Sequence, residues 1–109
     1  MSFAVSLTDG AKSDIAAILF WIRERSPMGA VAWNRSFQAV LDDIRERADR
    51  FGASPECDDH SELIRQAIFK TRRGRPYRAL FIVRGQDAFI VHVRGPGQNI
   101  LSAGELQFP

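Results

Sequence analysis

From Ala30 to Phe51 the residues Ala30, Trp33, Phe37, Val40, Leu41, Ile44, Ala48 and Phe51 recur at steps of three and four. That period places them on one face of a helix and is the strongest periodic signal in the chain. The opposite face carries Arg35, Asp42, Asp43, Glu46, Arg47 and Asp49, which reads as solvated. Ser26-Pro27 supplies the start, a serine N-cap followed by proline at the first helical position. Gly52 is the expected stop. A helix with so long an apolar stripe must be buried against a second layer of structure, which the flanking sequence has to supply.

Upstream, Ser2–Leu7 alternates in the manner of a strand, with Phe3, Val5 and Leu7 on one face. Thr8 then caps a helix with Asp9 in its first turn. Ala11, Ile15, Ile18, Leu19 and Ile22 keep helical spacing, and Phe20 and Trp21 fall off that stripe, a second apolar face that marks a helix–helix contact or a partner surface. By default Ile18, Leu19, Trp21, Ile22 and Trp33 are expected in the core. The short break at Arg25–Pro27 makes the two helices an antiparallel hairpin.

Downstream, the acidic stretch Ala53–Glu62 reads as a solvated linker. Arg65–Arg72 is expected to be a strand, followed by a turn at Arg73-Gly74-Arg75-Pro76. Tyr77–Val83 is apolar on both faces, as a central strand should be, and Ala88–Val93 completes an antiparallel meander. The tail Asn99–Pro109 is expected to form a short turn and fray. The fold expected is α+β. It is a two-layer sandwich in the order β-α-α-β-β-β, with an N-terminal helical hairpin packed on a mainly antiparallel four-stranded sheet. All 109 residues fit one domain, 1–109.

Charge is distributed unevenly. Between Arg65 and Arg94 there are 8 Lys/Arg and one acid, Asp87, although the whole chain is only +2. Lys70, Arg72, Arg73, Arg75 and Arg78 crowd into the nine residues 70–78. A solvated hairpin edge that blocks edge-to-edge pairing accounts for one or two such cations. Five in so short a span point to a polyanion or an acidic partner, with Lys70, Arg72, Arg73 and Arg75 as candidate phosphate or nucleic-acid contacts. His92 is the titratable group near neutral pH in this segment, and Tyr77 is the single phenol of the chain. A lone strand histidine is also an ordinary half-buried residue.

Other chemistries find little support. Cys57 and His60 are two potential ligands where a zinc site needs three or four, so no metal is expected. Gly95-Pro96-Gly97 lacks the Lys and Ser/Thr of a phosphate-binding loop and reads as a tight turn. No cofactor motif is present. The lone cysteine, the lack of a signal-peptide pattern at the N-terminus and the lack of a membrane-length apolar run suit a cytoplasmic protein.

The order of elements and several short motifs resemble the RelE/ParE superfamily of type II toxins, also called plasmid stabilisation proteins. The matching residues are Val5-Ser6-Leu7-Thr8, Ala11, Asp14-Ile15, Ala32-Trp33, Tyr77-Arg78, Leu80-Phe81-Ile82-Val83 and Ile90-Val91-His92-Val93. Together they span about residues 3–98.

The resemblance implies the toxin of a bacterial toxin–antitoxin pair, neutralised by a cognate antitoxin in a hetero-oligomer. RelE-like members cleave mRNA on the ribosome; ParE-like members inhibit DNA gyrase and are not enzymes. Arg78 matches the phosphate-binding catalytic arginine of the ribonuclease branch, and His92 and Arg94 are the candidates to complete an endoribonuclease site. The tail Asn99–Pro109 holds no Tyr, His or Lys to match that branch's usual acid–base residue. An acidic antitoxin segment is expected over the Arg72–Arg78 surface and a groove near Phe20 and Trp21. A phosphate-binding Arg78 would be replaceable by Ala without loss of thermal stability. Outside the resemblance, the same basic surface suits a non-toxic nucleic-acid-binding module.

The register of the last hairpin decides which of these side chains can meet. A two-residue turn at Gly85-Gln86 pairs Arg84 with Asp87. Regular alternation from there sets Arg78 opposite Val93, Tyr77 opposite Arg94 and His92 opposite Ala79. Arg78 and His92 then point to opposite faces. A site would use Arg78, or His92 with Arg94, and not all three.

Overall fold

In a computed structural model, residues 2–59, 62–98, 101, 105 and 106 are described. Strand β1 (Ala4–Leu7) leads into helix α1 (Asp9–Arg25), and helix α2 (Pro27–Arg47) follows after a single residue. Strands β2 (Arg65–Phe69), β3 (Tyr77–Arg84) and β4 (Asp87–Arg94) complete the order. The sheet runs β1-β4-β3-β2. β1 lies parallel to β4, and the other two pairs are antiparallel. The expected α+β arrangement is the one observed.

Two capping residues set the hairpin. Thr8 Oγ1 accepts from Ala11 N at 3.2 Å and lies 3.1 Å from the carbonyls of both Ile90 and Val91, joining the start of α1 to β4. Ser26 serves both helices. Its N–H donates to Ile22 O at 2.7 Å, and its hydroxyl accepts from Gly29 N at 2.9 Å. With Pro27 at the first helical position, one residue closes α1 and opens α2. α2 buries Ala30, Trp33, Phe37, Val40, Leu41 and Ile44, the stripe read from the sequence. It ends at Arg47, short of Gly52. The periodicity persists because a 3₁₀ turn at Ala48–Arg50 continues it and keeps Ala48 buried.

The core on the helical side joins this stripe to Ala67, Phe69, Ala79, Phe81, Ile90 and Val93. Trp33 is its centre. It stacks on Phe37 at 5.3 Å and meets Phe69 and Tyr77 edge-on at 5.4 and 5.6 Å. Each such aromatic contact contributes about 0.5–1.5 kcal/mol beyond the area it buries. Trp21, expected in the core, is instead exposed.

The other sheet face is covered as well. Ile64, Leu80, Ile82 and Val91 pack there with Leu101 and Leu106 of the tail. The expected fraying therefore does not extend to Leu101 and Leu106; Glu105 is exposed, and the other tail positions of that expectation lie outside the described residues. Ala53 extends the β2 edge by bridging Arg65, with Ser54 N donating to Ile64 O and Gln66 N to Gly52 O. Residues 53–59 are thus tied down over the sheet rather than a free linker, and a 3₁₀ turn runs through Pro55–Asp59.

The β3–β4 turn is the expected two-residue one. Gly85 has φ +63°, the left-handed value that a Gly-first hairpin turn requires, and Arg84 pairs with Asp87. Alternation then breaks. Phe81 pairs with Ile90 but Leu80 pairs with His92, so Val91 is an extra residue in β4. The bulge shifts every pair beyond it, and Arg78 comes to lie opposite Arg94, not Val93. Likewise His92 sits opposite Leu80, not Ala79, and Tyr77 no longer faces Arg94; it pairs with Phe69 on β2.

Candidate functional site

Arg78 leaves β3 on the face of Leu80 and Ile82, away from the helices. There it meets Glu56, whose side chain is fully buried. The two form a fork: Arg78 Nη1 donates to Glu56 Oε1 at 2.8 Å and Nη2 to Oε2 at 2.9 Å. Nη1 also reaches Gln66 Oε1 at 3.2 Å, and Glu56 Oε2 accepts a third bond from Leu101 N at 3.1 Å. Burial alone would raise the Glu56 carboxyl. The guanidinium hydrogen bonds and the Leu101 N–H outweigh it and hold the group down at about 2. One carboxylate thus ties the 3₁₀ turn, β3 and the tail together. Arg78, expected to be a phosphate contact replaceable without loss of stability, is the half-buried partner of a fully buried carboxylate.

His92 is held by a different carboxylate. Its Nδ1 lies 2.9 Å from Asp14 Oδ2 on α1, and the same oxygen accepts from Val93 N at 3.0 Å. The cause is topological. β1 stops pairing with β4 at Ile90, so the edge of β4 beyond it needs other partners. Thr8 and Asp14 supply them. By register alone, Arg78, His92 and Arg94 occupy neighbouring positions of one face, contrary to the expectation that no single face could hold all three. Their partners divide them: Arg78 is drawn to Glu56 and His92 to Asp14. Burial raises the Tyr77 phenol above its ordinary value, so at neutral pH it stays protonated and is no general base.

The remaining cations sort by position. Arg65 donates to Phe51 O at 2.5 Å, and Arg84 is forked to Glu62 at 3.0 Å. Lys70, Arg72, Arg73 and Arg75 sit together on the β2–β3 turn, exposed, and among the described residues none of them has an ion-pair partner.

Beside that turn lies a groove of about 700 Å³. Ala17, Ile18, Trp21 and Ile22 of α1 form one wall and Gly29 and Trp33 of α2 the floor, while Thr71, Gly74, Arg75 and Tyr77 face them. Gly95, Pro96 and Gln98, just past β4, close one end. A Cβ at Gly95 would stand 3.2 Å from the Tyr77 ring and from Gln98 Oε1, a tight contact that those side chains would have to relieve by a small shift. Trp21 is 55% exposed and fixed in place, with the Arg25 guanidinium 3.8 Å above its ring and donating to its carbonyl. Phe20, at 64% exposed, lies next to it on the outer surface.

Among the described residues no group of three or more His, Cys, Asp or Glu could hold a metal ion, and His60 lies outside them. Cys57 Sγ instead accepts from Ile64 N at 3.3 Å. Among the described residues no helix is long and apolar enough to cross a membrane. Sequence reasoning missed Glu56 and Asp14 as partners. Asp14 was within reach, since it stands in the Asp14-Ile15 motif. Nothing local distinguishes Glu56 from the acids around it.

No protein-family model matches the chain, and no curated protein matches its sequence. Among solved structures, a chain of the chromosomal ParDE TA (toxin–antitoxin) system of P. aeruginosa superposes with a TM-score of 0.66 at 18% identity. The match covers 85% of this chain and 95% of that one. At that identity, what the two share is the fold.

Proposed function

We propose that this chain is the toxin of a type II toxin–antitoxin pair, and that it arrests growth by binding a protein target rather than by cutting RNA. The fold it shares with a chain of the P. aeruginosa ParDE system supports the first part. The state of Arg78 carries the second. A catalytic arginine must offer its donors to the developing charge on phosphorus. Both terminal nitrogens of Arg78 are engaged by a buried internal carboxylate. His92 is likewise tied to Asp14, and Tyr77 is held in its protonated form. Four exposed cations on the β2–β3 turn, with no ion-pair partner among the described residues, remain available for recognition, the task that exposed charge serves best.

The cognate antitoxin is the expected neutralising partner, and DNA gyrase is the target that the sequence resemblance offers. Induced expression of the chain alone should halt growth, and co-expression of the adjacent reading frame should restore it. Purified protein should block conversion of relaxed to supercoiled DNA by gyrase while leaving ribosome-bound mRNA intact. New mRNA ends that depend on both the ribosome and Arg78 would overturn the binding mechanism and favour cleavage.

A further inference from the structure

Trp33 leaves a polar demand that this chain does not meet. Its side chain is 2% exposed, and its Nε1–H finds no acceptor among the described residues. Buried N–H groups are nearly always paired, because stranding one is costly. Trp33 also lines the groove beside the β2–β3 turn. We infer that this groove is a small-molecule site for a flat aromatic acid that carries a hydrogen-bond acceptor opposite its carboxylate. The acceptor takes the Trp33 N–H at the floor, and the carboxylate sits on Arg75 at the rim. Such a site is independent of the toxin reading and of any protein partner.

Three observations select that ligand. The first is what surrounds the indole. Phe37 stacks on Trp33, and Phe69 and Tyr77 meet it edge-on. Those rings fill the core side, so an acceptor has to arrive from the groove. A helix laid across the groove keeps its carbonyls bonded within itself and supplies none. The second is the chemistry of the lining. It holds no Asp or Glu, and Arg75 is exposed with no ion-pair partner among the described residues. An indole N–H and a guanidinium only donate, so their complement is an acceptor and an anion. A guanidinium fork matches a carboxylate best. The third is shape. The volume of about 700 Å³ lies within the range of about 300–1,000 Å³ usual for small-molecule sites. The Trp21 ring, fixed by the Arg25 guanidinium 3.8 Å above it, gives the wall a rigid aromatic surface on which a flat ring can stack.

The probe is para-acetylbenzoate, titrated into the intact protein while the indole N–H resonances are followed by NMR. The chain has two tryptophans, Trp21 and Trp33, and the Trp21→Phe variant assigns their signals. The Trp33 signal should move downfield saturably, as its N–H gains an acceptor, and the melting temperature should rise with probe concentration. Two matched compounds separate the contacts. One, para-isopropylbenzoate, keeps shape and charge without the acceptor; the other, para-acetylbenzamide, keeps the acceptor without the charge. Each should bind at least about tenfold more weakly than the parent acid. Arg75→Gln, at an exposed position, should weaken the acid by about tenfold and leave the amide unchanged. A Trp33 signal that stays in place up to about 10 mM probe, weaker than a ligand of this size should bind such a site, would overturn the inference and leave the N–H to water. A shift confined to Trp21, or equal affinity for all three compounds, would overturn it as well.

Discussion

Replacing Arg78 by Ala should cost far more stability than the loss of a surface arginine. The Glu56 carboxylate is fully buried and accepts from Arg78 twice and from Leu101 N once. Its carboxyl is held at about 2, against 4.5 when unperturbed. At 1.36 kcal/mol per unit, the folded environment favours the ionised form by about 3 kcal/mol. Removing one partner of a buried pair costs about 3–5 kcal/mol, because the other charge is stranded. For a domain of this size 1 kcal/mol moves the melting temperature by about 4–8 °C, so Arg78→Ala should lower it by at least about 12 °C. An ordinary surface substitution stays within about 0.5 kcal/mol.

The pH dependence gives a second readout. A depressed carboxyl contributes its full stability above the unfolded value of 4.5, and loses it as pH falls towards about 2. Without the guanidinium, burial is opposed only by backbone N–H groups, so the Glu56 carboxyl moves up and the variant loses much of the stability that its ionised form contributes at neutral pH. The gap between wild type and Arg78→Ala should be widest at pH 7 and should narrow progressively as pH falls from 4.5 towards about 2. Thermal and urea melts across pH 2–8 measure it. The double variant Glu56→Met/Arg78→Met, which removes both charges at similar volume, should recover most of the loss. A folded Arg78→Ala protein melting within about 2 °C of wild type at pH 7 would refute the reasoning, since so small a shift corresponds to about 0.5 kcal/mol or less. It would return Arg78 to the list of available phosphate contacts.

Other predictions follow from single contacts. Asp14→Ala removes the acceptor of Val93 N and the partner of His92, and should cost about 1–3 kcal/mol. Asp14→Asn, which keeps an acceptor, should recover much of it, and hydrogen exchange at the Val93 amide should accelerate only in the alanine variant. Gly85→Ala meets no atom within 4 Å, so its cost is purely the left-handed backbone, about 1–2 kcal/mol; the urea midpoint should fall with an unchanged slope. Trp33→Ala should cost about 3–5 kcal/mol and abolish cooperative melting, because it removes the ring that joins α2 to β2 and β3.

What could be read in advance was whatever is local in the chain. The α2 stripe, the Ser26 N-cap and the two-residue turn at Gly85-Gln86 each depend on residues within a few positions of one another. The bulge does not. From Phe89 to Val93 four of five residues are apolar, so no in-out alternation marks where parity slips. Val91 and Val93 are both buried, on opposite faces. The Glu56–Arg78 pair was hidden for a related reason. Its members are 22 positions apart, and Glu56 sits among other acids in a stretch that composition describes as solvated. A count of charge therefore located the basic segment but could not sort it. Arg65, Arg78 and Arg84 are spent within the fold on Phe51, Glu56 and Glu62. Lys70, Arg72, Arg73 and Arg75 have no ion-pair partner among the described residues, and Arg75 lines the groove that presents both tryptophans. Arg78, the cation that the sequence favoured for chemistry, is the one most completely enclosed by carboxylate; the turn beside it carries the charge that a partner can reach.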